Sequence, residues 1–227
     1  MLSIAKQKLI RSLETKKGRE KSGMCLVEGK KVIETAGTAV EFEFVKEDLE
    51  FGLFDKVVTT DTPQLMAAIA RIPVWSKEEI EFKKTIVILD GVQDPGNVGA
   101  ILRLCLGFDA SLILIESADV TAPKVIRSSV GAIFQVPWIQ LSSSDARSYI
   151  EKTTRPIFRL EKKTGGIMLS ELNSTDPIIL IGGNEGSGIR FTQSGTSVAI
   201  EQSEKLESLN VGTAVAIALH QRFIHNA

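Results

Sequence analysis

Cysteine is scarce in this 227-residue chain: there are two, Cys25 and Cys105, far apart in sequence. Two isolated thiols give neither zinc-ligand spacing nor a redox C-x-x-C pair, and they fit a reducing compartment. No run approaches the ~18 consecutive apolar residues that a membrane-spanning helix requires. The opening M-L-S-I-A-K-Q-K lacks the long apolar core of a secretion signal. Residues 1–13 carry two lysines, one arginine and no acid, a faint likeness to a transit peptide, but the basic run continues into a segment patterned to fold. A cytoplasmic protein without a membrane anchor is expected. Excess charge is also missing: 27 Lys and Arg face 28 Asp and Glu, a net of -1. Any grip on nucleic acid must therefore come from a local patch. What remains is an ordinary globular balance, 43% hydrophobic and 24% charged, long enough for one large or two small domains.

The charge is unevenly spread. Residues 1–31 hold seven Lys and two Arg against three Glu, a net of +6. One reading is a solvated amphipathic helix, with Ile4, Leu9 or Ile10, and Leu13 facing a core. The other is a phosphate-facing edge built from Lys16, Lys17, Arg19, Lys21, Lys30 and Lys31. The acids that follow, to about residue 82, offset this charge. Met24 to Val27 reads as a strand and Lys30 to Thr35 as a helix. Ala39 to Val45 alternates apolar and acidic residues, the period of a half-buried strand. Lys56 to Thr60 reads as a strand. Asp61 or Thr62 can cap a helix with Pro63 in its first turn, running through Leu65 to Ala70. Ile72 to Trp75 reads as a short strand, and the charged stretch Ser76 to Lys84 as a linker.

From Thr85 the texture changes. T-I-V-I-L-D at 85–90, S-L-I-L-I at 111–115, P-I-F-R-L at 156–160, P-I-I-L-I at 177–181 and S-V-A-I at 197–200 are short apolar runs, as expected of strands buried on both faces. Helical segments between them argue an α/β fold with a parallel sheet. A terminal helix from about Ser208 to Phe223 is apolar on every side at 214–219. Such a helix is buried all round, or buried on one side and used for oligomer contact on the other.

Three loops carry possible chemistry. D-G-V-Q-D-P-G-N-V-G-A-I-L-R at 90–103 leaves the carboxyl end of a buried strand, where open α/β sheets bind ligands. It offers the Asn97 amide and the Arg103 guanidinium, a fork suited to phosphate. G-G-N-E-G-S-G at 182–188 follows another such strand, and its glycines allow unusual φ angles or close ligand approach. It is neither a P-loop nor G-x-G-x-x-G. S-L-N-V at 208–211 opens the terminal helix, with Ser208 a credible N-cap and Asn210 in the first turn.

Taken together and in this order, D-x-V-x-D-P-x-N-x-G-x-I-x-R, N-E-G-x-G and S-L-N-V resemble the three motifs of the SpoU (TrmH-like) RNA ribose 2′-O-methyltransferases of the SPOUT superfamily. The likeness covers roughly residues 85–224, and S-V-G-A-I-F-Q-V-P at 129–137 resembles the segment linking the motifs. R-E-K-S-G-M-C-L-V-E-G at 19–29 is similar to a small substrate-binding domain of the ribosomal protein L30e fold. The resemblance implies an RNA-binding domain over 1–80 and a methyltransferase domain over 81–227 with a deep trefoil knot. It implies S-adenosylmethionine as cofactor, held largely through backbone atoms by Gly183, Ile200 and Leu209, flanked by Ile181, Gly182 and Asn184. A side chain at 183 would fill the adenosine site. It implies a catalytic set of Arg103, Asn97, Glu185, Ser208 and Asn210, no metal, and a homodimer. Glu185 would pair with Arg103 or hold Asn97. Lys16, Lys17, Arg19, Lys21 and Lys30 become the RNA-docking residues, with ribosomal RNA the favoured substrate.

Two departures stand out. Glu201 follows Ile200 where the family commonly has proline, so its charge would face the cationic cofactor or point to solvent. Leu104-Cys105 replaces small or polar residues after the arginine and reads as packing. The alternatives are a transfer-RNA methyltransferase and a non-catalytic RNA-binding assembly factor. A Rossmann-type nucleotide enzyme would need an early G-x-G-x-x-G, which is missing.

Overall fold

A computed structural model describes residues 1–58, 66–192 and 194–226. In chain order its helices are α1 (Ile4–Ser12), α2 (Lys16–Ser22), α3 (Lys30–Ala36), α4 (Leu53–Val57), α5 (Lys77–Phe82), α6 (Pro95–Gly107), α7 (Pro123–Ser128), α8 (Ser143–Lys152) and α9 (Val211–Asn226). Its strands are β1 (Met24–Glu28), β2 (Val40–Val45), β3 (Met66–Arg71), β4 (Thr85–Asp90), β5 (Ala110–Ile115), β6 (Trp138–Leu141), β7 (Ile157–Leu160), β8 (Ile167–Met168), β9 (Ile178–Gly183) and β10 (Thr196–Ala199). They form two compact units, Met1–Val74 with Asp119–Gln135, and Trp75–Ala118 with Val136–Ala227.

The first unit has a three-stranded antiparallel sheet in the order β1-β3-β2. Its core includes Ile10, Leu13, Leu26, Phe44, Phe54 and Ile69. Helix α1 buries Ile10 and Leu13 as expected, but Ile4 lies 74% exposed on the other face. The helix read through Leu65 to Ala70 is corrected: Met66–Arg71 is the central strand, paired on both sides. Alanines favour a helix locally, yet Ala67, Ala68 and Ala70 are fully buried between two neighbours, and pairing overrides propensity. The cap assigned to Asp61, Thr62 and Pro63 lies outside the described residues. Lys56 and Val57 end a helix rather than start a strand, and residues 72–75 have no strand.

Arg19 and Glu28 bracket the R-E-K-S-G-M-C-L-V-E-G segment, and both tie it to residues 119–135. Arg19 is 4% exposed; its guanidinium donates to Thr121 Oγ1 (3.1 Å) and the Leu13 carbonyl (2.7 Å) and pairs with Asp119. Buried Glu28 accepts from Arg127 of α7 at 2.7 Å.

The second unit carries an all-parallel seven-stranded sheet in the order β6-β5-β4-β9-β7-β10-β8. Every residue of β4 and β5 is buried. The expected linker at 76–84 is instead helical. Ser76 Oγ accepts from the Glu79 amide (3.2 Å) and the Glu79 carboxylate accepts from the Ser76 amide (2.7 Å), a reciprocal cap that starts α5. Late strands sit among earlier ones: β9 between β4 and β7, and β10 between β7 and β8. Because β4 and β9 are neighbours in register, Asp90 faces Gly183, and the loops that leave them emerge side by side.

Candidate active site

Helix α6 begins where Asp94 caps it: its carboxylate accepts from the Asn97 amide at 3.0 Å, and Pro95 takes the first helical position. This turns the Asn97 side chain toward the loop after β9. Its Nδ2 donates to Glu185 Oε1 at 3.1 Å. Asn210 Nδ2 donates to the same Glu185 oxygen at 2.8 Å and to Asn97 Oδ1 at 3.0 Å. Three segments separated by up to 113 residues thus meet in one hydrogen-bonded triangle.

The cap of α9 is Asn210, not Ser208. Asn210 Oδ1 accepts from the Gly212 amide at 2.9 Å and the Thr213 amide at 3.3 Å, so the helix starts at Val211. Capping fixes which way the amide points, with oxygen toward the helix and nitrogen toward Glu185.

Arg103 lies outside this triangle. Its side chain is exposed and makes no hydrogen bond or ion pair among the described residues. Of the two roles weighed for Glu185, the structure takes the grip on Asn97. Six helical residues separate Asn97 from Arg103, about 9 Å along the axis and roughly 120° around it, so the two side chains leave different faces.

The loop bearing Glu185 is pinned at both ends, to the last residue of β4 and to the turn that follows it. Asn184 Nδ2 donates to the Gly91 carbonyl at 2.9 Å, while its Oδ1 accepts from the amides of Gly186 (2.8 Å) and Ser187 (3.1 Å). At the far end Arg190 donates to the fully buried Asp90 through its backbone amide (2.6 Å) and Nε (2.8 Å), and it also pairs with Glu116. Hydrogen bonds from Ser143 and Arg190 hold the Glu116 carboxyl below its usual range. The sequence reading missed Arg190 and Glu116; a charge directly after a glycine-rich loop was the available signal.

A cleft of about 120 Å³ opens between the ends of β7 and β10 and the segment before α9. It is lined by Leu160, Val198, Ile200, Ser208, Leu209 and Glu161, among others. Ile200 and Leu209 were expected at a cofactor site and Ser208 at the reacting centre; all three lie here. Gly183, Gly182, Ile181 and Asn184 are absent from its lining. Gly183 has a packing reason to be glycine in addition to the adenosine contact expected of it. A Cβ there would sit 2.6 Å from the Gly188 carbonyl and 2.7 Å from Ile189 Cγ1. At Gly182 a Cβ would press on Val211 and Val215 of α9, and Ile181 is buried in the sheet core. Asn184 staples its own loop. Glu201 does not line the cleft; of the two expectations the structure takes the solvent-exposed one. It accepts from the Ser170 amide (3.1 Å) and hydroxyl, which lowers its carboxyl pKa. Cys105 is fully buried beside partly buried Leu104, as the packing reading required.

In the first unit Lys16, Lys17, Lys21 and Lys30 are exposed. Arg19 is corrected: buried and bonded through its guanidinium, it is unavailable to a phosphate. Among the described residues, no group of three or more His, Cys, Asp or Glu could hold a metal, and no helix is long and apolar enough to cross a membrane.

Comparison with known proteins agrees with this architecture. The SpoU rRNA methylase family profile matches residues 84–220. The 23S rRNA guanosine 2′-O-methyltransferase RlmP of Bacillus subtilis is 29% identical over 92% of this chain and 92% of its own length. A 23S rRNA adenosine 2′-O-methyltransferase of Streptomyces azureus is 34% identical over 70% of this chain and 62% of its own. The crystal structure of an AdoMet-bound rRNA methyltransferase from Sinorhizobium meliloti superimposes with a TM-score of 0.83 at 22% identity, covering 99% of this chain and 97% of that one.

Proposed function

We propose, from the premise that this chain belongs to the SpoU rRNA methylase family, that it transfers a methyl group from S-adenosylmethionine to a ribose 2′-hydroxyl of RNA, ribosomal RNA above all. The observation that carries this reading is the triangle of Asn97, Glu185 and Asn210 at the start of α6, the helix that also carries Arg103, exposed and without a hydrogen bond or ion pair among the described residues. A cleft with Ile200, Ser208 and Leu209 in its wall lies in the same unit.

The cleft suits part of such a cofactor. Its apolar residues Leu160, Val198, Ile200 and Leu209 suit a purine face, while Glu161 and Lys162 offer polar partners to the rest of the molecule. When bound, S-adenosylmethionine supplies an electrophilic methyl on a sulfonium centre. The protein's task is then geometric: to line up the ribose hydroxyl and assist loss of its proton. A guanidinium is not a group that proteins deprotonate, which leaves Arg103 an electrostatic role. It grips a phosphate next to the target ribose and stabilises the developing alkoxide. Phosphate, hydroxide or water takes the proton. The triangle fixes α6, the loop after β9 and the start of α9 relative to one another and so aims Arg103.

Interleaving of β9 and β10 among earlier strands supports a trefoil threading of this unit. A homodimer is supported by α9, which buries Val215, Ala218 and Leu219 yet leaves Ile217, Phe223 and Ile224 exposed. Neighbouring exposed apolar side chains on one helix are a common mark of a partner surface. Lys16, Lys17, Lys21 and Lys30 dock RNA phosphates, and the chain acts in the cytoplasm. The unit of Trp75–Ala118 with Val136–Ala227 carries the transfer, and the unit of Met1–Val74 with Asp119–Gln135 the RNA docking, in place of the simple division at residue 80.

Two measurements test the reading together. Calorimetric titration with S-adenosylmethionine should give saturable one-site binding. Mapping of ribose methylation on total RNA from a deletion strain, against its parent, should reveal a lost site in ribosomal RNA. A protein that fails to bind the cofactor, with an unchanged methylation map, would be a binding factor instead.

A further inference from the structure

Strand β7 reads I-F-R-L, and the arginine in this apolar run is 7% exposed. Burying a guanidinium is costly unless every donor is used. Arg159 places Nη1 against the carbonyls of Ser194 and Gly195, the latter at 2.8 Å, and donates Nε to Glu161 Oε1 at 2.7 Å. Lys163 Nζ lies 3.0 Å from the other Glu161 oxygen. The backbone of Glu161 is locked as well. Its amide donates to the Val198 carbonyl at 3.1 Å, and its carbonyl accepts from Ser197 Oγ at 2.8 Å. The Glu161 side chain is 15% exposed and lines the cleft described above.

A carboxylate with four acceptor positions has two of them occupied here, by Nε and Nζ. The remaining lone pairs belong to a fixed anion in a wall that mixes apolar Leu160, Val198 and Ile200 with polar Lys162 and Gln202. Among ligand groups, hydroxyls and amides satisfy such a carboxylate without adding charge, and they displace the water that otherwise does so. An acid just beyond a strand end holds a ribose diol in dinucleotide-binding folds by the same chemistry. Glu207, which also lines the cleft, is exposed and makes no hydrogen bond or ion pair among the described residues, so it offers no such preorganisation.

The geometry points to Glu161 as the acceptor for the 2′- and 3′-hydroxyls of the cofactor's adenosine ribose. This rests on the assignment of the cleft to S-adenosylmethionine. Arg159 is its positioning residue: it spends one donor on the carboxylate and others on the segment 194–195, tying the acid to the chain that leads into β10.

The test pairs a change in the ligand with a change in the protein, read by calorimetric binding. S-adenosylhomocysteine and its 2′,3′-dideoxy analogue are titrated into the wild-type protein, Glu161→Gln and Glu161→Asp. The wild type should bind the dideoxy analogue about tenfold or more weakly, as expected when hydrogen bonds to a charged acceptor are lost. In Glu161→Gln that ratio should shrink toward one, because the variant weakens the parent ligand and leaves the analogue nearly unaffected. Glu161→Asp, which retracts the carboxylate, should shrink it too and provides a second reading if the glutamine variant fails to fold. Equal wild-type affinity for both ligands overturns the proposal, and so does a ratio unchanged in the variants. A wild type that binds neither ligand overturns the cofactor assignment along with it.

Discussion

Asn210 has two roles that cannot be separated by deletion. Its oxygen caps α9 and its nitrogen ties Asn97 and Glu185 together. Asn210→Asp keeps the capping oxygen, removes the donor and sets a second carboxylate against Glu185. That variant should therefore keep most of its thermal stability while losing methyl transfer, a combination read from a melting curve and a rate. Asn97→Ala and Glu185→Gln each remove one partner of a hydrogen-bonded set and should cost about 1–3 kcal/mol in transition-state binding, roughly 5- to 150-fold in rate. Arg103→Ala should abolish transfer and leave cofactor affinity unchanged, since Arg103 contacts neither the triangle nor the cleft lining. Residues of this kind were legible in the sequence because their spacing within each loop is local. Arg190 and Arg159 were not: Asp90 lies 100 residues from the first, and the Ser194 carbonyl lies 35 residues from the second. Arg19 looked like a phosphate ligand for the same reason. Nothing near it in sequence indicates that Asp119 and Thr121 close over it.

At the scale of elements, glycines and caps decide where the loops go. Gly183→Ala would push a methyl group to 2.6 Å from the Gly188 carbonyl, so the β9 loop must shift and carry Glu185 with it. Transfer should fall as far as in Glu185→Gln. Equal activity in Gly183→Ala and wild type would show that the loop yields without cost. The bare face of α9 gives a second expectation. Phe108 meets Phe223 edge-to-face at 5.7 Å, and Leu106, Ile217 and Ile224 are exposed nearby in sequence on the same two helices. Ile217→Asp together with Phe223→Asp should halve the sedimenting mass at micromolar concentration while far-UV dichroism is retained. Buried strands β4, β5 and β9 were legible from composition alone. Strand β3 was not, because an alanine-rich run has no period of its own and takes the structure its neighbours impose. The start of α5 carried its signal in S-x-x-E, masked by the surrounding charge.

On the scale of the whole molecule, the chain leaves the second unit after Ala118 and returns to it at Val136. Within the first unit α7 packs on β1, and Val120, Val125, Ile126 and Ile133 are buried. A fragment spanning 81–227 would strip these residues of their cover. It should be insoluble or aggregate on purification, where the intact chain stays soluble. The ionic ties also give the first unit a sensitivity to acid. Burial alone would raise the pKa of Asp119, but hydrogen bonds from Arg19 and Thr121 outweigh it, and the folded value is lowered. The stability this contributes is present above the unfolded value of ~3.9 and is lost as pH falls through the lower folded value. Asp119→Ala should cost about 3–5 kcal/mol near neutral pH by leaving Arg19 buried without its partner. The gap in melting temperature between variant and wild type should close on acidification below about pH 4. None of this long-range organisation was legible, since the sequence marks where elements begin and not which unit a returning segment joins.

Alkaline hydrolysis of RNA labelled in vitro with methyl-tritiated S-adenosylmethionine tests the account most directly, because a 2′-O-methyl group blocks cleavage at its own nucleotide. Ribosomal RNA from a strain lacking this protein is incubated with the wild-type chain or with Arg103→Ala. Label recovered in alkali-resistant dinucleotides with the wild type, and absent with the variant, is the predicted result. Label released in mononucleotides, or full incorporation by Arg103→Ala, would contradict it.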